Sequence, residues 1–366
     1  MKEPQPKNIA ATVADVARLS GVSKATAARV LGGYGTVSDK ARDAVMLAAQ
    51  ELDYRPNELA RSMTTGRSGT IGVVVGDIEN PFFGSAVRGI SDAARASGFN
   101  VVLANSGEDV AAERAAIETL VAKRVDGLIV SPAQDSTIGH LEDIGHAGRP
   151  LVLLDRAIAA LAVDSVTADD RQACEAVTRL LVERGHREIA YVTACDTPTH
   201  LYRDTRDILT ASVRERIEGF LEVGAQAGIA DMPRWVRLGA NTPDATRRLT
   251  IDLLREATPP SAIIASDSLI ALEIFKVARE LGIEMPEALS LVTFHDAAWT
   301  AVTTPPVTVV RQPVYEMGAA AAKMLIERLS GEPCAPRHLV LPTLLVERSS
   351  VAVRENQSAG PRIRSL

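Results

Sequence analysis

The first fifth of the chain has apolar residues at helical spacing, interrupted by a short polar turn. Thr12 and Asp15 form a capping-box pattern, in which the hydroxyl oxygen accepts from exposed helix N–H groups and the acid complements the helix dipole. A helix is therefore expected to begin near Val13. The Ser-Gly-Val sequence at residues 20–22 ends this helix, and Ser23 is suited to cap a second one. The pattern predicts a helix, a tight turn and a second helix.

A third helix is expected to follow Ser38 and to run to about Asp53, where apolar residues again recur at helical spacing. Residues 57–63 begin with an Asn cap but are too few to form a stable helix alone, so this segment is expected to fold only against a partner. Residues 64–69 are polar and contain two glycines, as linkers do. We therefore predict an all-α helix-turn-helix domain over residues 8–55, followed by a hinge helix and linker over residues 56–69.

From residue 70 onward, short apolar runs alternate with amphipathic segments. Such runs are typical of buried parallel strands separated by crossover helices. The predicted strands occupy residues 70–76, 100–106, 127–132, 150–155, 188–194, 235–239, 262–267 and 289–295. With a helix over residues 315–329 and an apolar run over residues 339–346, the pattern predicts an α/β core of two doubly wound lobes over residues 70–353. The polar residues 354–366 are expected to form a disordered tail.

Charge is unevenly distributed along the chain. Residues 1–68 contain ten Lys or Arg against seven Asp or Glu, a net charge of +3, which leaves −9 for the rest of a chain whose total is −6. The net positive charge of residues 1–68 favours contact with nucleic-acid phosphates, whereas the acidic remainder of the chain is expected to have another role.

Several function classes are disfavoured by what the sequence lacks. No run of about 18 apolar residues is present to span a bilayer, and the polar residues 1–8 lack the apolar core of a secretory signal, so we expect a cytoplasmic protein. Cys174, Cys195 and Cys334 lack metal-ligand spacing, so we expect neither a metal site nor a cofactor. The absence of GxxxxGK(S/T), GxGxxG and GxSxG patterns argues against a nucleotide-dependent dehydrogenase or a hydrolase.

Two sets of short motifs follow the pattern of one known family. In the head they are Ala14-Asp15-Val16-Ala17, Gly21-Val22-Ser23, Thr26, Arg29-Val30-Leu31, Val37-Ser38, Tyr54-Arg55-Pro56-Asn57 and Leu59-Ala60-Arg61-Ser62. In the core they are residues 77–83, Val125-Asp126-Gly127-Leu128-Ile129, Leu154-Asp155-Arg156, Arg216-Ile217-Glu218-Gly219-Phe220 and Gln312-Pro313. On these residues the chain resembles the LacI/GalR (lactose-repressor) family of bacterial transcriptional regulators, and the resemblance covers nearly the whole chain.

The resemblance implies a helix-turn-helix head on a periplasmic-binding-protein-like core. It implies a non-enzymatic repressor that binds double-stranded operator DNA as a homodimer, under the control of a small effector such as a sugar. The residues 354–366 carry no leucine heptads, so we expect a dimer without a helical tetramerising tail. A periplasmic sugar-binding protein would share the two-lobed core, but the added head and the polar N-terminus argue against that alternative.

The resemblance also implies which residues contact DNA. Three occupy positions at which the family reads bases: Lys24, Ala25 and Arg29. Arg29 is the strongest candidate, because a guanidinium binds guanine through two hydrogen bonds, whereas Ala25 offers only a methyl contact. Phosphate contacts are implied for Thr12, Ser23, Thr26, Tyr54 and Asn57. Met63 occupies the hinge position at which the family has an apolar side chain that inserts into the minor groove, and Ala60 lies one turn earlier on the same face. The alternative is that Met63 is a linker residue without a role in DNA binding.

For the core, the resemblance places the effector between the lobes. The implied contacts are Phe82, Phe83, Asp155, Arg216, Asn241, Ser266, Asp267 and Asp296. Carboxylates and an arginine suit sugar hydroxyls. Asn241 and Ser266 depart from the residues common in relatives, where an aromatic ring and an Asn stand. Arg203 and Arg206 are either solvated loop residues or groups that meet an acidic effector such as a sugar acid, and the sequence leaves both open.

Overall fold

A computed structural model describes residues 11–32, 34–54, 67–195, 197, 201–331 and 334–354. The chain divides into two compact units, Met1–Gly69 and Thr70–Leu366. Among the described residues, no helix combines the length and the apolar character needed to cross a bilayer.

The described part of the first unit is a small helical head. Its helices are α1 (Val13–Ser20), α2 (Lys24–Gly32) and α3 (Asp39–Glu51). Thr12 and Asp15 form the predicted capping box, and Gly21 ends α1 in the left-handed conformation, with φ of 68°, that glycine adopts without strain. The three helices share one core, made of Val16, Ala17, Ala27, Val45 and Ala48. The helix-turn-helix prediction is therefore confirmed.

The first lobe of the second unit is built on a parallel sheet with helices on both faces. Its strands are β1 (Thr70–Val75), β2 (Asn100–Asn105), β3 (Gly127–Val130), β4 (Leu151–Leu154) and β5 (Asp164–Ala168). The helices between them are α4 (Pro81–Ala96), α5 (Val110–Ala122) and α6 (Gly139–His146). Strands β3 and β4 are buried along their whole length, which is why their sequences are uniformly apolar.

The second lobe repeats this arrangement. Its strands are β6 (Ile189–Val192), β7 (Val236–Arg237), β8 (Ala262–Ala265), β9 (Ser290–Phe294) and β10 (Thr308–Arg311). Its helices are α7 (Asp170–Glu183), α8 (Ala211–Gln226), α9 (Pro243–Leu254) and α10 (Ser268–Glu280). A further helix, α11 (Val314–Leu329), returns to the first lobe and packs against α4 and the strands β3 to β5.

Two short strands near the C-terminus complete the two sheets. Strand β11 (His338–Leu341) pairs with β5, and β12 (Leu344–Val346) pairs with β10. Within the described residues each sheet has six strands, in the orders β11-β5-β4-β3-β1-β2 and β12-β10-β9-β8-β6-β7. The pairs are parallel except that of β12 with β10. The eight predicted strands are present, the predicted run at 339–346 is two strands, and β5 and β10 were not predicted.

The described chain passes between the lobes three times: after β5, after β10, and between β11 and β12. The first and third passages are joined directly, because Thr343 N–H donates to the Asp169 carboxylate at 2.8 Å. The second passage contains Gln312, which follows β10. The lobes are thus connected by closely spaced segments at one side of the cleft between them.

Candidate DNA-binding head and effector cavity

The N-terminal turn of α2 presents several predicted DNA contacts together. The Ser23 side chain caps the helix, accepting from Thr26 N–H at 3.1 Å, and its hydroxyl lies 2.9 Å from that of Thr26. Lys24 and Ala25 are exposed on this turn, and Arg29 is exposed one turn later, whereas Ala27 is buried against the head core. One side of α2 therefore packs against the head core, while the other side exposes side chains that can contact a base edge.

The other predicted DNA contacts lie around this helix or outside the described residues. Thr12 is exposed at the N-terminus of α1, and its hydroxyl donates to Asp15 at 2.7 Å. Tyr54 is half-buried against the head core. Asn57, Ala60 and Met63 lie outside the described residues.

A cavity of about 840 Å³ lies between the two lobes, at the carboxyl ends of their strands. Open parallel sheets bind ligands at this edge, because the loops that follow the strands converge there. Seven of the eight predicted effector contacts line the cavity: Phe82, Phe83, Asp155, Arg216, Asn241, Ser266 and Asp267.

Arg216, on α8, is a buried cation in the wall of the cavity. Its Nε donates to the Asp170 carboxylate at 2.6 Å, and a terminal nitrogen donates to the Ser266 carbonyl at 2.9 Å. Its guanidinium carbon also lies 4.1 Å from the centre of the Phe294 ring, a cation–π arrangement. Burial raises the pKa of Asp170 to about 7, opposed by the neighbouring Arg216. Ser266 lines the cavity, and its backbone carbonyl also helps to hold Arg216 in place.

Arg156 and Glu108 form a second ion pair in the cavity wall. The two terminal guanidinium nitrogens donate to the two Glu108 oxygens at 2.5 and 2.9 Å, and one also donates to the Pro132 carbonyl at 2.7 Å. The Arg156 Nε lies 3.4 Å from the Asp155 carboxylate. This fork geometry uses both ends of the guanidinium, so Arg156 is oriented before any ligand arrives.

Asp155 is a buried carboxylate at the end of β4 with an unusual backbone. Its φ of 68° places a non-glycine residue in the left-handed region, a conformation that often marks functional sites. Ser212 donates to one of its oxygens at 3.4 Å, while Oδ1 has no hydrogen-bond partner among the described residues. Burial raises the pKa of this carboxyl group.

The remaining predicted contacts have distinct roles. The Asp267 carboxylate caps α10 by accepting from Leu269 and Ile270 N–H at 2.8 and 2.9 Å, and burial raises its pKa. Phe82 and Phe83 meet edge to face with ring centres 5.2 Å apart, which gives the first lobe an apolar wall. Asn241 is exposed at the rim, just before α9.

Asp296 does not line the cavity, contrary to the prediction. Its carboxylate is occupied by Arg311 at 2.6 Å, Arg348 at 2.7 Å and the Thr300 hydroxyl at 2.9 Å, and these hydrogen bonds to Arg348 and Arg311 lower its pKa. Its neighbour His295, with φ of 68°, lines the cavity instead. The His295 Nδ1 is buried without a hydrogen-bond partner in the described part of the chain.

Sequence reasoning missed several groups of the site. Glu108, Arg156, His295 and Gln312 line the cavity, and Asp170 supports it from behind. Arg156 and Gln312 stand inside motifs that carried the family resemblance, and this was the available signal. Arg203 and Arg206 do not line the cavity: Arg203 is exposed, and Arg206 pairs with Asp204 at 2.8 Å.

One ion pair joins the lobes beside the cavity. Asp135, in the loop after β3, lies 2.7 Å from Arg214 of α8. Its N–H also donates to the Leu209 carbonyl of the second lobe at 2.9 Å. Since Leu209 lines the cavity, these contacts hold the cavity rim in the arrangement described.

A helix-turn-helix head and a two-lobed α/β core with a polar cavity between its lobes define the class of ligand-responsive DNA-binding regulators. Two family models match the chain in the same order. Residues 12–57 match that of bacterial regulatory proteins of the lacI family, and residues 178–351 match the periplasmic binding protein-like domain.

Similar proteins cover almost the full length of the chain. The HTH-type transcriptional regulator GalS of Salmonella typhimurium is 34% identical over 94% of this chain and 98% of its own length. The structure of the lac repressor dimer bound to operator and the anti-inducer ONPF matches with a TM-score of 0.80 and 25% identity, over 94% of this chain and all of that one. A complex of the transcriptional regulator CelR with cellobiose matches with a TM-score of 0.67 and 30% identity, over 93% and 99% of the two chains. The chain belongs to the LacI family of bacterial transcription regulators, which are non-enzymatic DNA-binding proteins.

Proposed function

We propose that this regulator represses transcription by binding a pseudo-palindromic operator as a homodimer, and that a small carbohydrate or sugar acid in the interlobe cavity controls this binding. The observation that carries the proposal is the cavity itself, which holds oriented, buried polar groups from both lobes. A ligand that contacts both lobes stabilises one arrangement of them over others, and control of DNA binding requires such a differential interaction.

The head supports a division of labour on DNA. Arg29, exposed on the side of α2 away from the head core, is suited to read a guanine through two hydrogen bonds, with Lys24 and Ala25 beside it. Thr12, Ser23, Thr26, Tyr54 and Asn57 would fix the register through phosphates. In the hinge, Met63 and Ala60 would insert into the minor groove, as the family resemblance implies.

A dimer follows from the size of the head. One recognition helix meets few bases, whereas two heads related by a twofold axis read two half-sites and multiply the specificity. Residues 354–366 contain no leucine heptads, which favours a dimer over a tetramer held by a helical tail.

The cavity chemistry favours a carbohydrate. Asp155 and Arg216 offer an acceptor and a set of donors to hydroxyl groups, and Phe82 offers a flat apolar surface. The similarity to the CelR–cellobiose complex supports the same class of ligand.

A gel shift on the DNA upstream of the protein's own gene tests the proposal, with a scrambled duplex of equal length as the control. We expect a shift on the upstream DNA that a sugar or a sugar acid alters, either releasing the protein or strengthening its hold. Equal binding to both duplexes would contradict an operator-specific repressor. A specific shift that no sugar or sugar acid changes would contradict the proposed effector class.

A further inference from the structure

The residues that line the interlobe cavity fall into two sets of different character, which we call the inner and the outer compartment. The inner compartment is polar: Asp155, Arg156 and Gln312 are buried and follow strands, His295 is half-buried after β9, and Arg216 is buried on α8. The outer compartment is walled by Thr242, which caps α9, and by residues of the first three turns of α10: Leu269, Leu272, Glu273 and Lys276. The adjacent helices α9 and α10 thus extend the cavity from the buried strand ends toward the protein surface.

The volume of the cavity exceeds the needs of one sugar ring. At about 840 Å³ it stands near the upper end of the ~300–1,000 Å³ typical of pockets for small ligands. A pyranose ring seated among the inner polar groups leaves the outer compartment unfilled. A ligand with a second ring would occupy both.

The inner compartment is matched to uncharged groups. Each of its guanidinium groups already has a carboxylate partner, Asp170 for Arg216 and Glu108 for Arg156. An anionic ligand would have to compete with these carboxylates at short range, which is unfavourable in a buried site. Arg203 and Arg206 do not supply a positive charge for an anionic ligand, since neither lines the cavity.

Four buried polar atoms of the inner compartment lack a hydrogen-bond partner among the described residues. They are Asp155 Oδ1, Arg156 Nε, His295 Nδ1 and Gln312 Nε2. The Arg156 Nε is a donor and lies 3.4 Å from the Asp155 carboxylate. A carboxylate oxygen accepts, an amide nitrogen donates, and an imidazole nitrogen does either. Since buried polar atoms are costly when unpaired, they favour a ligand whose neighbouring groups both donate and accept, as the hydroxyls of a sugar ring do.

The outer compartment combines apolar and polar walls. Leu269, 40% exposed, and Leu272 offer an apolar surface, and Glu273 pairs with Lys276 at 3.1 Å beside them. A second sugar ring presents an apolar face and a hydroxyl edge, which suit these two walls. We propose that the effector is an uncharged disaccharide, with one ring in the inner compartment and the other in the outer compartment, against Thr242 and the first three turns of α10. This inference rests on the proposed function, since it identifies the ligand of the same cavity.

Calorimetry on the full-length protein tests the inference with four neutral disaccharides, cellobiose, maltose, lactose and trehalose, and with glucose, galactose and glucuronate. We expect one disaccharide to bind at least about ten-fold more tightly than its constituent monosaccharide, because the second ring adds hydrogen bonds and buried area. The variant Leu269→Trp narrows the outer compartment and should lower the affinity for the disaccharide to about that for its constituent monosaccharide. Val302→Trp, at an exposed position that does not line the cavity, is the matched control and should bind as the unaltered protein does.

Tighter binding of a monosaccharide or of glucuronate than of every disaccharide would overturn the inference, and so would an unchanged disaccharide affinity in Leu269→Trp. An absence of binding by all four disaccharides would also count against it. If a monosaccharide or glucuronate binds and alters the gel shift, the proposed function stands and only the disaccharide assignment fails.

Discussion

Arg216 and Asp170 form an ion pair inside the second lobe, with the Arg216 Nε 2.6 Å from the Asp170 carboxylate and side chains only 8% and 1% exposed. Asp170 does not line the cavity, so its contact with the guanidinium orients Arg216 toward a ligand without touching the ligand itself. A buried ion pair of this kind is costly to break from one side, because the remaining carboxylate must stay desolvated or take up a proton.

The first prediction concerns stability. Arg216→Ala should lower the free energy of unfolding by about 3–5 kcal/mol, because it leaves Asp170 buried without its partner. The double variant Arg216→Met with Asp170→Leu should recover most of this loss, since no buried charge is left. Urea unfolding followed by tryptophan fluorescence measures both, and Arg247→Ala, at a partly exposed pair with Glu280, is the control with a small effect. If Arg216→Ala lowers the free energy of unfolding by less than about 1 kcal/mol, the prediction is wrong, and the pair stabilises the fold no more than an exposed ion pair does.

The second prediction concerns the effector. Arg216→Lys keeps a positive charge near Asp170 but loses the planar fork that also bonds Ser266. Effector binding should weaken by about 1.5–3 kcal/mol, roughly ten-fold or more, while operator binding stays nearly intact. Arg216→Ala should abolish the effector response altogether, leaving the protein fixed in one state. Calorimetry with the ligand found in the sugar panel, beside a gel shift, separates these effects; an unchanged affinity in both variants would remove Arg216 from the site.

The third prediction concerns the head. Arg29→Ala should weaken binding to the operator by about 1–3 kcal/mol and binding to a scrambled duplex only slightly, because only the operator presents the matching acceptors. Arg42→Ala, at an exposed position on α3, removes the same charge and is the control. Fluorescence titrations at one fixed salt concentration make the affinities comparable, since phosphate contacts depend on salt. Equal weakening on both duplexes would make Arg29 a phosphate contact.

The fourth prediction concerns pH. His186 is fully buried, with Nδ1 2.9 Å from the Ser261 hydroxyl, and burial lowers its pKa to about 4 from the usual value of about 6.5. Below pH 6.5 His186 is protonated in the unfolded chain, whereas in the folded protein it stays neutral until about pH 4. The free energy of unfolding should therefore fall by about 2–3 kcal/mol as the pH is lowered between these values.

Urea unfolding at pH 7.5 and pH 5 should therefore show a smaller decline for His186→Gln, whose amide retains hydrogen-bonding capacity, than for the unaltered protein. His338→Gln, at an exposed histidine, should retain the full decline. The same decline in both variants would rule out His186 as its source.

The sequence pattern predicted the fold where burial and apolarity coincide. Strands β3 and β4 are wholly apolar and were predicted, whereas β5 was not, because it begins with Asp164 and Ser165. These polar residues are buried because Arg328 and Arg337 bond the carboxylate and His338 bonds the hydroxyl. Partners more than 160 residues away in sequence make such a strand stable, and a local pattern does not reveal them.

The site shows the same limit. The family motifs located Asp155 and Arg216, but the pairing of Arg216 with Asp170 and of Arg156 with Glu108 joins residues 46 and 48 positions apart. Asp296 was predicted from the family resemblance, whereas its neighbour His295 was not. His295, with φ of 68° at the end of β9, lines the cavity, whereas the Asp296 carboxylate is bound by Arg311 and Arg348.

The three passages of the chain between the lobes set the mechanical freedom of the core. Because they lie side by side and Asp169 bonds Thr343 across two of them, sliding of one lobe past the other would strain all three, and rotation about a common axis is the softest motion left. Gln312 lies on the remaining passage and also lines the cavity. A ligand that bonds the Gln312 amide therefore acts on the segments about which the lobes would rotate. A small displacement there would produce a much larger movement at the ends of the lobes farthest from these segments.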